Sequence, residues 1–233
     1  MKAEVKKSET RTFVIEEKHI KDIWELLQSR IGPPEITILC TDDIERRYDT
    51  WKNFILFDNS KSKEIKEIAI NAESKDHSKQ ASINFSSSIS SQVYMRIKAS
   101  EQVVVRLNSD IEDILDNVKP WYSKFVKIDF FYIIMFAFAF GTMYFYITHP
   151  NVETNNKSDG NEALAVLVLL SIMATVVVVS ILLNKLRSRY FPTSVFAIAK
   201  GLDRYKFDEK IRWTVIVGFV ISVVASLFSS VLL

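Results

Sequence analysis

Three long apolar runs without charged residues constrain what this chain of 233 residues can fold into. They cover residues 130–148, 163–183 and 213–233, and none of them contains Asp, Glu, Lys, Arg or His. A helix rises ~1.5 Å per residue and the hydrocarbon core of a bilayer is ~30 Å thick, so each run is long enough to cross a membrane. A helix on a soluble core usually keeps a polar face, which these runs lack. The sequence therefore predicts three transmembrane helices.

The charged residues divide the chain into two unlike parts. Residues 1–128 hold 21 of the 30 Lys and Arg and 21 of the 28 Asp and Glu, so their formal charges cancel. The rest of the chain holds the other 9 basic and 7 acidic residues. The mean hydropathy of +0.09 is thus an average over a soluble part and a membrane part. We predict a frayed N-terminus over 1–11, a soluble domain over 12–120 and a membrane domain over 121–233.

The charges of the two loops between the runs predict an orientation. The first loop, 149–162, has one Lys against three acidic residues, whereas the second, 184–212, holds eight basic residues. Short basic loops stay in the cytoplasm. We therefore expect an integral membrane protein with three spans, a cytoplasmic N-terminus and a C-terminus on the opposite side.

The inner loop 184–212 combines apolar residues near helical spacing with a basic side, which indicates an amphipathic helix. Such a helix would lie on the anionic inner leaflet of the lipid bilayer. Its predicted membrane-surface contacts are Lys200, Arg204, Lys206 and Lys210. The alternative is a cytoplasmic helical extension of the third span that packs on the soluble domain. Because acidic residues are mixed with the basic ones, we expect no nucleic-acid partner.

Small residues recur at every fourth position of the third run. They are Gly218, Ser222, Ser226 and Ser230. On a helix these residues would share one face and let another helix approach closely. We interpret them as helix-packing residues of a homo-oligomer or, alternatively, as the lining of a pore.

The apolar periodicity of the soluble part predicts its helices and strands. Helices are expected over 18–30 and 101–118, where apolar residues recur at helical spacing. Short or alternating apolar segments predict strands at 12–16, 35–40, 44–48, 64–72, 81–85 and 92–99. The predicted fold class is an α+β cytoplasmic domain, with a mainly antiparallel sheet and two amphipathic helices, followed by an all-α three-helix transmembrane region.

Side chains that could carry chemistry are few and scattered along the chain. The three histidines, His19, His77 and His149, have no ligand spacing to one another or to the single cysteine, Cys40. The five glycines do not make a phosphate-binding loop, and no hydrolase or metalloprotease motif occurs. We therefore predict no catalytic, cofactor-binding or metal-binding residues, and no cofactor.

The leading functional hypothesis is a non-enzymatic, multi-pass inner-membrane protein. Its cytoplasmic recognition or sensing domain, with a cytoplasmic protein as its partner, would be anchored by self-associating transmembrane helices. The first alternative is an oligomeric channel or pore-forming membrane effector. The second is a membrane-anchored enzyme with an unrecognised site.

Overall fold

The computed structural model describes residues 2–87, 92–148 and 159–232. The chain forms two compact units. The first unit joins Met1–Ser123 to Pro192–Leu233, and the second unit is Lys124–Phe191. The C-terminal part of the chain thus belongs with the N-terminal part, which differs from the predicted division at residue 120.

Strands and helices are mixed along the described part of the chain. In chain order they are β1 (Lys2–Thr10), β2 (Phe13–Glu16), α1 (Glu17–Arg30), β3 (Pro34–Cys40), β4 (Glu45–Tyr48), α2 (Trp51–Ile55), β5 (Ile65–Glu73), β6 (Gln80–Ser86), β7 (Gln92–Ser100), α3 (Glu101–Asn117), α4 (Phe130–Thr148), α5 (Asp159–Tyr190), β8 (Ser194–Ala197) and α6 (Lys200–Leu232). Short 3₁₀ turns cover Lys61–Lys63 and Trp121–Lys127.

Six strands of the first unit form one antiparallel sheet in the order β1-β7-β6-β5-β3-β4. Every second side chain of a strand points into the core, as in β3, where Ile36, Ile38 and Cys40 are buried. Helices α1 and α3 contribute apolar stripes to the same core, including Leu27 and Ile111. Burying one such aliphatic side chain contributes ~1.5–3 kcal/mol, so this shared core holds sheet and helices together.

The N-terminal residues predicted to be frayed are instead an edge strand of the sheet. Strand β1 pairs with β7 from Lys2 to Thr10. Two ion pairs tie the segment to α3: Lys7 to Glu112 at 2.7 Å, and Arg11 to Asp116 at 3.2 Å. The prediction was wrong because β1 is rich in charged residues, with Lys6 and Lys7 adjacent, and a local pattern of that kind does not reveal a distant strand partner.

The inner loop predicted as one amphipathic helix is divided among three elements. Helix α5 continues to Tyr190, strand β8 follows, and α6 begins at Lys200. Strand β8 pairs in parallel with β2, forming a separate two-stranded sheet. The ring of Phe196 packs edge-on against Phe13, with centroids 5.7 Å apart. A short apolar run fits a strand and a helix equally well by periodicity, so the partner strand decided the outcome.

The second unit contains helices α4 and α5, which contact each other. Asn184 on α5 holds the start of α4: its side-chain oxygen accepts from the backbone N–H of Phe130 at 3.3 Å, and its amide donates to Asp129 at 2.9 Å. Arg187 also donates to the backbone carbonyl of Ile128. The first of these bonds satisfies an N–H group at the helix start that has no partner within the helix itself. The other two connect α5 to the residues just before α4.

The prediction of an all-α three-helix transmembrane region with three spans is wrong. Among the described residues, one helix, Leu170–Tyr190, is long and apolar enough to cross a membrane. A second span would require Trp121–Lys127 and Phe130–Tyr144, which meet at a bend of 63°, to count as one. Helix α6 belongs to the first unit, where its residues Gly201 and Arg212 are buried. Apolar composition does not reveal that two helical segments meet at a bend, or that a helix is anchored in a folded domain. It therefore overestimated the number of spans.

Candidate functional site: the open face of the sheet

The sheet face opposite α1 and α3 carries polar side chains that are partly or fully exposed. We call it the open face. Its members on the five strands from β1 to β3 include Glu4, Lys6, Ser8, Glu35, Thr37, Glu67, Ala69, Asn71, Glu73, Gln80, Ser82, Asn84, Tyr94, Arg96 and Lys98. Strand alternation causes this arrangement, because the residues between them point into the core. The sequence pattern thus indicated two unlike faces, although it did not identify the polar one as a site.

Hydrogen bonds between neighbouring strands hold the side chains of the open face in place. The Ser82 hydroxyl donates to the Asn71 side-chain oxygen at 2.7 Å. The Asn84 amide donates to Glu67 at 2.6 Å, and the Arg96 Nε donates to Glu4 at 2.8 Å. The Arg96 guanidinium thereby lowers the pKa of the Glu4 carboxyl. A face whose side chains are already oriented loses less entropy when a partner binds.

A depression of about 340 Å³ lies on the open face. Its lining comprises Pro33, Glu35, Asn71, Ala72, Glu73, Gln80, Ala81, Ser82 and Arg96. In the strand register, Glu35, Asn71, Ser82 and Arg96 follow one another across four strands. With strands ~4.8 Å apart, the Glu35 and Arg96 backbones are ~14 Å apart. The row therefore offers a carboxylate at one end, a guanidinium at the other, and an amide and a hydroxyl between them.

The β5–β6 hairpin forms the rim of this depression. Glu73 accepts hydrogen bonds from Gln80 and from the His77 ring, the latter at 2.7 Å. These bonds, that from Gln80 first, lower the pKa of the Glu73 carboxyl, and Glu73 in turn raises the pKa of His77. Ser74 and Ser78 hold the pKa of the Asp76 carboxyl well below its usual range. Both carboxylates of the rim, Glu73 and Asp76, are therefore ionised at neutral pH.

A buried asparagine connects this sheet to the start of α6. The Asn59 side chain donates to the carbonyls of Phe196 and Ile198, both at 3.0 Å, and accepts from the backbone N–H of Ile65 at 3.2 Å. Ile65 begins β5, the strand that carries Asn71 to the depression. We call the contacts of Asn59 with β5, β8 and the first turn of α6 the joint. One side chain thus links the strand of the open face to the C-terminal part of the chain.

Two of the four predicted membrane-surface residues lie at this joint. Lys200 pairs with Asp58 at 3.0 Å. Arg204 donates to the backbone carbonyl of Asn59 at 2.8 Å and pairs with Glu64 at 3.3 Å. These contacts hold the start of α6 against the rest of the first unit. The other two predicted residues, Lys206 and Lys210, are exposed on α6.

A buried arginine lies further along α6, and the sequence pattern marked it only as one of the eight basic residues of the loop 184–212. Arg212 is 1% exposed, and its guanidinium lies 4.8 Å from the ring centre of Tyr122 and 5.0 Å from that of Tyr205. Burial raises the pKa of both tyrosines, so both hydroxyls stay neutral. Trp121 stacks on Trp213 at 5.5 Å. Cation–π contacts of a desolvated arginine contribute ~2 kcal/mol, so this cluster anchors the helix.

The predicted small-residue face lies on the later part of α6. Gly218, Ser222 and Ser226 are exposed, and a Cβ atom added at Gly218 would meet no atom within 4 Å. The Ser222 hydroxyl donates to the Gly218 carbonyl at 2.8 Å, a common way for an apolar helix to accommodate a serine. Ser230 lies within α6, but its side chain is outside the described residues. The described chain therefore places these residues on one surface without bringing them to the open face.

Histidine and cysteine are not brought together in the described residues. The His19 ring accepts from the backbone N–H of Glu16 at 3.1 Å and thereby caps α1, and burial lowers its pKa. Cys40 is a buried thiol whose pKa is raised by burial, and His77 belongs to the hairpin rim. His149 lies outside the described residues. Within the described ranges, no group of three or more His, Cys, Asp or Glu could hold a metal ion.

No protein-family model, curated protein or solved structure matches the chain. The open face is therefore identified as the candidate site by its polar side chains, its depression and its cross-strand hydrogen bonds.

Proposed function

We propose that this protein is a non-enzymatic recognition protein anchored in a membrane. The open face of its sheet binds a polar cytoplasmic protein, and α5 crosses the bilayer. The observation that carries the proposal is the depression on the open face, where a row of oriented side chains leads from Glu35 to Arg96. A row with both charges and neutral hydrogen-bonding groups suits a polypeptide segment, which offers the same mixture of groups.

The chemistry of Arg96 supports binding at this face. Its Nε nitrogen donates to Glu4, which orients the guanidinium. Among the described residues, no hydrogen bond is found for its two terminal nitrogens, and these form the planar fork that binds carboxylates in pairs of hydrogen bonds. A carboxylate of the partner would occupy this fork. The Glu35 carboxylate at the other end is half exposed and has the Arg47 Nε 3.9 Å away. It would accept a further hydrogen bond from a basic side chain of the partner.

The apolar surface of the second unit supports the membrane anchor. Large apolar side chains of α5 are exposed, among them Leu170, Val178, Ile181 and Leu182. Contact of these side chains with lipid tails carries no hydrophobic penalty, whereas their exposure to water is unfavourable. The end of the helix carries three basic residues, Lys185, Arg187 and Arg189. Because basic ends stay inside, we propose that this end of α5 faces the cytoplasm.

We do not propose a pore along the small-residue face of α6. A conduit along the small-residue face would need hydroxyl groups directed into it, whereas the Ser222 hydroxyl is bonded to its own helix. Contact with an anionic leaflet is proposed only for Lys206 and Lys210, since Lys200 and Arg204 pair with acidic residues of the domain.

Photo-crosslinking tests the open face in cells. A photoreactive phenylalanine analogue replaces Tyr94, which lies on the open face and is 38% exposed. In a control variant it replaces Leu56, which is 80% exposed and lies outside the open face. We expect a discrete protein adduct from position 94 and none of the same mass from position 56. Ser82→Arg fills the depression and should abolish the adduct, whereas Thr37→Arg, on the same face outside the depression, should retain it. An adduct insensitive to Ser82→Arg, or one formed only at position 56, would show that partners bind elsewhere.

Cysteine labelling tests whether α5 crosses the membrane. Asp159→Cys and Ser188→Cys place a thiol near each end of the helix, and the native Cys40 is fully buried. In sealed vesicles, we expect an impermeant maleimide to label the two positions from opposite sides, with position 188 on the cytoplasmic side. Folded protein in detergent, in which both introduced thiols must react while Cys40 stays buried, is the control. Labelling of both from one side would reject the anchor and leave the open-face proposal standing.

A further inference from the structure

The outer edge of β1 is a second surface of the first unit. β1 is nine residues long and lies at the end of the sheet, with β7 on its inner side. Among the described residues, no strand pairs with its outer side. Its pairing with β7 is continuous from Lys2 to Thr10, without a bulge. A long regular edge presents a row of backbone donors and acceptors that another strand can pair with.

The side chains of β1 alternate between the two sides of the sheet. Glu4, Lys6 and Ser8 are exposed on the open face, whereas Ala3 and Val5 pack against the core. Suppose that a second copy adds its β1 antiparallel, with both open faces on one side. One residue of the strand then lies opposite the same residue of the partner, and the two-fold axis passes midway between them. We describe this as an axis through that residue. Each choice of that residue sets a different register, and the charges of β1 discriminate among the registers.

Only one of the three longest registers avoids like charges at its centre. An axis through Lys6 or through Lys7 places two lysines directly opposite each other. An axis through Val5 instead places Val5 opposite the partner's Val5, and Glu4 opposite the partner's Lys6 on both sides of the axis. Opposite charges that face each other across strands stabilise pairing by ~0.2–1 kcal/mol each, and like charges oppose it.

We infer that two copies of this chain pair through β1 in the register centred on Val5. The two sheets then form one continuous antiparallel sheet of twelve strands, six from each copy. Both open faces lie on the same side of this sheet. The dimer would therefore present two copies of the depression to one partner. The inference is independent of what the depression binds.

A charge exchange tests the register in the full-length protein reconstituted in nanodiscs or detergent. Lys6→Glu places two glutamates opposite each other at both positions, and we expect the dimer dissociation constant to rise at least ~10-fold. The variant should still fold, because residue 6 is also opposite Arg96 within the chain. The double variant Glu4→Lys and Lys6→Glu exchanges the charges and should restore dimerisation. Sedimentation gives the mass of the assembly.

A cross-link tests the same register without relying on affinity. Mild oxidation of Val5→Cys should give a disulfide-linked dimer, since the two thiols meet on the axis, while the native Cys40 is buried. Ser8→Cys is the matched control and should stay monomeric on a denaturing gel. The inference is overturned if the wild-type protein is a monomer, as expected if the lysines of β1 serve to prevent edge pairing. It is also overturned if Lys6→Glu leaves the dimer intact, if the double variant fails to restore it, or if both cysteine variants cross-link equally.

Discussion

Replacing Asn59 by alanine is expected to lower the free energy of unfolding by about 3 kcal/mol or more. The substitution removes both donors to the carbonyls of Phe196 and Ile198, and the acceptor for the N–H of Ile65. Asn59 is fully buried, so water cannot take over these bonds without opening the joint. Each buried polar group left unsatisfied costs ~1–3 kcal/mol. The backbone of Asn59 has φ of 42°, a conformation that asparagine tolerates better than alanine does, which adds to the loss.

Denaturant unfolding of the full-length protein, followed by tryptophan fluorescence, measures this change. Asn71→Ala is the control, because Asn71 is exposed and its side chain accepts one hydrogen bond, from Ser82. Its effect should stay within ~0.5 kcal/mol, the usual range for a surface substitution. Asn59→Asp retains the acceptor for Ile65 and loses both donors, so it should also destabilise strongly. Equal losses for Asn59→Ala and Asn71→Ala would show that the joint does not stabilise the first unit.

Gly201→Ala is expected to destabilise the protein by about 3 kcal/mol, through a steric rather than a polar effect. A Cβ atom at this position would lie 2.4 Å from the Phe196 carbonyl oxygen and 2.4 Å from the Asn59 amide nitrogen. Both atoms belong to the same hydrogen bond of the joint, so neither can move without breaking it. The added methyl must displace β8 or the first turn of α6. Thermal unfolding of the full-length protein should show a lower midpoint.

Gly218→Ala is the matched control in the same helix. A Cβ atom at Gly218 meets no atom within 4 Å, so the added methyl has room. Alanine favours a helix interior over glycine by ~1 kcal/mol, and we expect an unchanged or slightly raised midpoint. Equal destabilisation by the two substitutions would mean that glycine is needed for a property of α6 as a whole, and not for its close contact with β8.

Several secondary-structure elements could be predicted from local periodicity. The alternation at 35–40 and 92–99 corresponds to β3 and β7, and the helical spacing at 101–118 corresponds to α3. These segments are predictable because one face of each is buried in the core, and burial imposes a period of two or 3.6 on the apolar residues. The open face consists of the strand residues that lie between the buried ones, so the same alternation predicts it. Its depression was not predictable, because it depends on which strands become neighbours.

The edge strand and the joint depend on partners far away in the chain. β1 lacks an apolar stripe of the usual kind and is ordered by pairing with β7, which starts at Gln92. In the sequence, Asn59 lies between Asp58 and Ser60 and resembles an ordinary turn residue. Its role in the joint comes from hydrogen bonds to carbonyls 137 and 139 residues later in the chain. A local pattern carries no information about such a partner. The same limit explains why three apolar runs predicted three spans.

The sequence by itself determined which residues are apolar, how they repeat along strands and helices, and therefore which side of each element faces a core. Tertiary structure alone decided that the C-terminal segment returns to the N-terminal domain through β8, and that α6 starts inside that domain. It also decided which of the expected basic contacts became ion pairs of the joint, as for Arg204 with Glu64. The physical reason is that burial leaves a periodic trace in the sequence, whereas a hydrogen bond between distant residues leaves none.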